Sequence, residues 1–172
     1  MQDGSISGNE DGDRAMTGAF EGPTEFAQMV RSALARAADE GWAAMVWSDP
    51  TFEDWPLGER AVTESLQAWS RSGRHLVLLA HRYDAVIRNK PRFVSWRRTW
   101  DHIIECRLCK NLDASEIPSA LWSSHWAMQR LDLVRSTGVA DLDPARRVLL
   151  KEALDECRRQ SSPGFPASTL GL

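Results

Sequence analysis

Three short apolar runs decide the architecture: Trp42–Pro50 (WAAMVWSDP), His75–Arg82 (HLVLLAHR) and Ile103–Lys110 (IIECRLCK). The cores of the first two lack the polar alternation of a half-exposed strand, which is the pattern of strands covered on both faces. Strands are therefore expected at 42–47, 75–80 and 103–108. Helical spacing fills the gaps. Phe26, Val30, Ala33, Leu34 and Ala37 lie on one face of a helix at 24–40, with Gly41 as its stop. Val62, Leu66 and Trp69 do the same at 57–72 before Gly73. Residues 82–101 read as two helical pieces broken around Asn89-Lys90-Pro91, because proline disfavours helix at the residue before it. Alternating helix and strand predicts an α/β fold, a mostly parallel or mixed sheet covered by helices on both faces.

Working outward, Leu112–Ser119 reads as a loop and Ala120–Leu133 as one or two strands around Trp122 and Trp126. A last helix starts with Asp143 as N-cap and Pro144 in its first turn, and carries Val148, Leu149, Ala153, Leu154 and Cys157. Residues 1–22, rich in Gly, Asp, Ser and Glu, are expected to be a disordered leader. Residues 23–160 form a single α/β domain, and 161–172 a C-terminal tail. A chain of 172 residues can bury a full core without disulfides or a structural metal. The longest apolar stretches, Ala43–Trp47 and Leu76–Ala80, fall far short of the ~20 residues of a membrane span. The first residues lack the basic start and hydrophobic centre of a secretory signal. Three cysteines, an odd number, fit a reducing cytoplasm.

Charge is uneven. Residues 1–64 hold 4 basic and 13 acidic groups, whereas 65–110 hold 10 basic groups against Asp84, Asp101 and Glu105, a local excess of +7. The basic block is where an anion would sit. Ligands of open α/β sheets gather beyond the carboxyl ends of the strands. Asp49, His81, Arg82 and Lys110 occupy those ends and are the candidate ligand-binding residues. Arg97 and Arg98 join them from the segment Arg88–Arg98, where five cations are interleaved with Phe93 and Trp96. Cations and rings together suit a nucleic-acid backbone. The same residues also fit an amphipathic helix whose Phe93, Trp96 and Trp100 face the sheet.

The run His125-Trp126-Ala127-Met128-Gln129-Arg130-Leu131-Asp132 resembles the phospholipase D signature H-x-K-x-x-x-x-D. His125 matches the histidine and Asp132 the aspartate, while Ala127 stands where that family has lysine. The order of elements over 24–132 is also that of a phospholipase D-like domain. The resemblance implies a phospholipase D-like half, in a bacterial branch with a single degenerate motif. It makes His125 the nucleophile and Asp132 its support. Without the lysine the phosphoryl transition state lacks its fixed cation. Arg130 stands an odd number of residues from His125, so on a regular strand it faces away.

Cys106 and Cys109 have C-x-x-C spacing, but three residues apart on a strand they point to opposite faces. No metal site and no cofactor is expected. The G-x-G-x-x-G, P-loop, H-E-x-x-H and G-x-S-x-G motifs are absent. The reading is a non-catalytic phospholipase D-like domain that binds a partner or a phosphate-bearing ligand. The alternative is a weak phosphodiesterase or nuclease assembled across a homodimer through His125. A protein partner is expected to meet exposed tryptophans, of which the chain has eight candidates, and nucleic acid is not expected as a partner.

Overall fold

The computed structural model describes residues 7–167, so what was expected of 1–6 and 168–172 lies outside the described residues. In chain order the elements are α1 (Ser7–Ala15), β1 (Gly18–Phe20), α2 (Gly22–Glu40), β2 (Ala44–Ser48), α3 (Arg60–Trp69), β3 (His75–Ala80), α4 (Asp84–Asn89) and α5 (Pro91–Thr99). They continue with β4 (Ile104–Leu108), β5 (Ser119–Ser123), β6 (Ala127–Asp132), β7 (Thr137–Asp141), α6 (Pro144–Arg159) and β8 (Ser162–Pro163). The eight strands form one sheet in the order β1-β7-β6-β5-β2-β3-β4-β8. As expected, β2, β3 and β4 are parallel neighbours. Every other pairing is antiparallel, which makes the sheet mixed.

Two apolar layers follow from strand alternation. Met45, Trp47, Leu76, Leu78 and Leu121 meet Phe26, Val30 and Leu34 of α2, Val62 and Leu66 of α3, and Phe93 and Trp96 of α5. Val46, Val77, Leu79, Ala120 and Ala127 turn the other way and meet Leu150, Leu154 and Cys157 of α6. Helices thus cover both faces, three main ones on the first and one on the second. Asp143 caps α6, its side chain accepting from the Ala145 N–H.

Element ends moved for local reasons. Gly41 sits at φ 68° and closes α2, and the next N–H, of Trp42, donates to the Ala37 carbonyl, which keeps Trp42 out of the strand. The second helix is shorter than 57–72. The Ser70 hydroxyl donates back to the Leu66 carbonyl at its end, while Leu57 is still in a tight turn with Trp55. Strand β7 has no signature in the sequence, because Thr137–Asp141 has no run of large apolar residues. Gly138 there lies where a Cβ would come within 2.6 Å of the Phe20 ring and 2.2 Å of the Gln129 carbonyl, so only glycine lets β1, β6 and β7 close up.

Two boundary expectations need correction. Residues 7–22 are not a disordered leader. Strand β1 pairs with β7, Met16 and Phe20 are buried, the Trp126 indole donates to the Met16 carbonyl at 2.7 Å, and Asp13 pairs with Arg36. Two apolar anchors suffice to order a polar segment when its backbone joins a sheet edge. Similarly, the tail from 161 docks. Strand β8 pairs with β4, and Phe165 is buried against Tyr83, with ring centres 5.2 Å apart.

Candidate functional site

The motif residues are not brought together. His125 is exposed in the turn between β5 and β6 rather than on a strand. Ser123 builds that turn: its Oγ accepts the N–H of both His125 and Trp126, and its own N–H donates to the Trp126 carbonyl. The His125 ring stacks over Trp42 at 6.2 Å. Asp132 is at the far end of β6, where its carboxylate accepts the Arg135 N–H. A strand of six residues separates the two, about 20 Å. Ala127 is 6% exposed and packs in the layer under α6. A lysine there would enter an apolar layer rather than reach a phosphate beside His125. Accordingly, Ala127→Lys should give no turnover of bis-p-nitrophenyl phosphate above that of the unaltered protein. Turnover created by this change and removed by His125→Ala would contradict the geometry.

At the carboxyl ends of the parallel strands the candidates divide into structural and free groups. Asp49 is 2% exposed and fully engaged. One oxygen accepts Arg130 Nη2 at 3.0 Å, the other the N–H groups of Thr51 and Phe52. It belongs to a buried network and cannot bind a ligand without breaking it. The centre of that network is Arg130, which on β6 faces inward. Its Nε donates to Ser119 Oγ and its Nη1 to Asp54 and Ser136. The guanidinium also lies 4.2 Å over the Phe26 ring. Every nitrogen of the fork donates to protein. The legible signal was alternation: Arg130 shares a face with the buried Met128.

His81 and Arg82 both donate their backbone N–H to the Pro50 carbonyl, which ties the end of β3 to the loop after β2. His81 is half-buried, with an enclosed Nδ1 that has no partner. Arg82 and Lys110 are exposed, the one before α4 and the other just after β4. Arg97, expected to bind a ligand, is 4% exposed and structural. It pairs with Asp101 at 2.6 Å and donates to the Phe165 carbonyl at 3.1 Å. In the same segment Lys90 donates to the Trp55 carbonyl and Arg92 to that of Gly58, clamping the loop before α3. Arg88 and Arg98 remain exposed. The amphipathic reading of α5 holds, since Phe93 and Trp96 are buried.

The C-x-x-C pair is split as the strand geometry demands, with Cys106 in one apolar layer and Cys109 in the other. Burial pushes both thiols up to about 11. Among the described residues no group of three or more His, Cys, Asp or Glu side chains is placed to hold a metal ion. Nor is any described helix long and apolar enough to cross a membrane. Tryptophan does not supply the expected interface. Six of the eight are buried, and Trp100 and Trp122 are half-buried. Their large apolar area is spent on the core, where Trp47 and Trp55 sit 5.9 Å apart.

Fold and site together define an α/β domain with a mixed sheet covered by helices on both faces. No protein-family model matches the sequence, and no curated protein does. Among solved structures the chain is similar to TrmBL2, described as an archaeal chromatin protein with a novel mode of DNA binding. The similarity has a TM-score of 0.62 at 15% identity and covers 87% of this chain and 54% of that one. At that identity the likeness is one of fold, and this chain spans about half the length of that protein. It corrects one expectation nonetheless. Packing of Phe93, Trp96 and Trp100 on the sheet and the acidic first third of the chain argue against nucleic acid as a partner, whereas a protein sharing this fold is described as binding DNA.

Proposed function

We propose that this chain is a non-catalytic module of phospholipase D-like ancestry that binds a phosphate-bearing polyanion, the backbone of a nucleic acid. The observation that carries the proposal is the state of the cations in the β3–α4–α5–β4 segment, residues 75–110. Arg82, Arg88, Arg98 and Lys110 are exposed, and among the described residues none of the four has a carboxylate within ion-pair reach. Elsewhere arginines are largely consumed by acids, as in Arg31–Glu59, Arg36–Glu40 and Arg158–Glu105. Free surface cations gain most from a polyanion, because each phosphate neutralised releases a condensed counterion. The DNA binding described for TrmBL2 supports this choice of ligand. Among the described residues the His125 imidazole has no hydrogen-bond partner and stacks on Trp42, which supports the non-catalytic half of the proposal.

The test is fluorescence anisotropy of a labelled duplex DNA at low salt, with the unaltered chain and with Arg82→Glu, Arg98→Glu and Lys110→Glu combined. Saturable binding that weakens by at least ~10-fold in the triple variant is expected, since each lost phosphate contact removes a favourable electrostatic contribution. Absence of binding, or binding that the triple variant retains, would overturn the proposal.

A further inference from the structure

The two faces of the sheet are covered unequally. On the second face α6 stands alone, packed over β5, β2 and β3, and beside it the surface over β6 and β7 is open. A groove of about 340 Å³ runs there between α6 and these two strands. That is the size of a small-ligand site rather than of a packing defect. Ala127, Val139 and Leu150 give it an apolar base, and Leu149, 66% exposed, stands at its lip. Arg146 and Arg147, in the first turn of α6, supply its charge together with Asp141.

The charges do not balance internally. Arg146 pairs with Asp141 at 3.0 Å. Arg147 is half-buried, and among the described residues it has no carboxylate within ion-pair reach. A guanidinium held beside an apolar base, with its fork unoccupied by protein, selects a flat anionic head attached to an apolar body. We propose that this groove binds a small amphipathic carboxylate, its carboxylate on Arg147 and its hydrocarbon body on Ala127, Val139 and Leu150. The site is on the opposite face of the sheet from α4 and α5, whose apolar residues belong to the other layer. None of Arg82, Arg88, Arg98 and Lys110 lines it, so it does not depend on the polyanion reading.

The experiment is calorimetric titration of the full chain with octanoate, and with octan-1-ol as a neutral body of the same length. Octanoate is expected to bind at least ~10-fold more tightly than octan-1-ol, the gain from a charge-assisted pair. Arg147→Gln should bring octanoate down to the level of the alcohol. Ala153→Trp, at an exposed position lining the groove, should abolish both. Equal affinities for acid and alcohol in the unaltered chain would overturn the assignment, and this comparison needs no variant to fold. Absence of octanoate binding, or binding unchanged in either folded variant, would overturn it equally.

Discussion

Arg130→Met is expected to lower the stability of the fold by about 3–5 kcal/mol in urea unfolding, the cost of leaving a buried charge without its counter-ion. The Asp49 and Arg130 side chains are 3% and 1% exposed, so neither can exchange its partner for water. Losing the guanidinium also frees Ser119, Asp54 and Ser136 and uncovers the ring of Phe26. The damage should be specific to the charge. Asp49→Asn added to Arg130→Met should recover part of the loss, because the orphaned carboxylate is then neutral while the amide can still accept from Thr51 and Phe52. A loss below ~1 kcal/mol for Arg130→Met would mean that the network is ornamental and that Asp49 could be free for a ligand.

A comparable effect is expected at the other end of the chain. Phe165→Ala should cost about 3 kcal/mol, the usual loss for emptying a buried aromatic site. The Phe165 ring fills the space beside Tyr83 and lies 5.5 Å under the Arg97 guanidinium, which also takes the Phe165 carbonyl. The Tyr83 hydroxyl shares its one proton between the Arg107 carbonyl at 2.8 Å and the Leu78 carbonyl at 3.1 Å, tying β3 to β4. Burial pushes that hydroxyl well above the ordinary tyrosine range, so it stays a donor. Thermal unfolding of the variant checks the effect. An unchanged midpoint would restore the view of 161–172 as a mere tail.

These two sites show what the sequence made legible and what it did not. Local periodicity found β2, β3 and β4 and the helices between them, because each buries a regular apolar stripe that composition alone displays. It failed where order comes from partners distant in the chain. Strand β1 is held by β7, and Phe165 by residues some seventy positions earlier. Gly18-Ala19-Phe20 has no stripe of its own. Site residues suffered the same way. Asp49 stands where ligands gather in such folds, yet Arg130, 81 positions away, takes it. Position along the chain made Arg97 and Arg98 alike, and only the docking of Phe165 and Asp101 separates a structural cation from a free one. The His125–Asp132 spacing reads as a motif in one dimension, while in three the turn at Ser123 and the length of β6 hold the two side chains apart.

The salt dependence of duplex DNA binding shows whether the exposed cations of residues 82–110 meet a phosphate backbone. With Arg82, Arg88, Arg98 and Lys110 each neutralising a phosphate, log K should fall with log[salt] at a slope of about −3 to −4. Changing any one of them to glutamine should reduce that slope by about 1. A slope near zero, or one that the four glutamine variants leave untouched, would contradict the account.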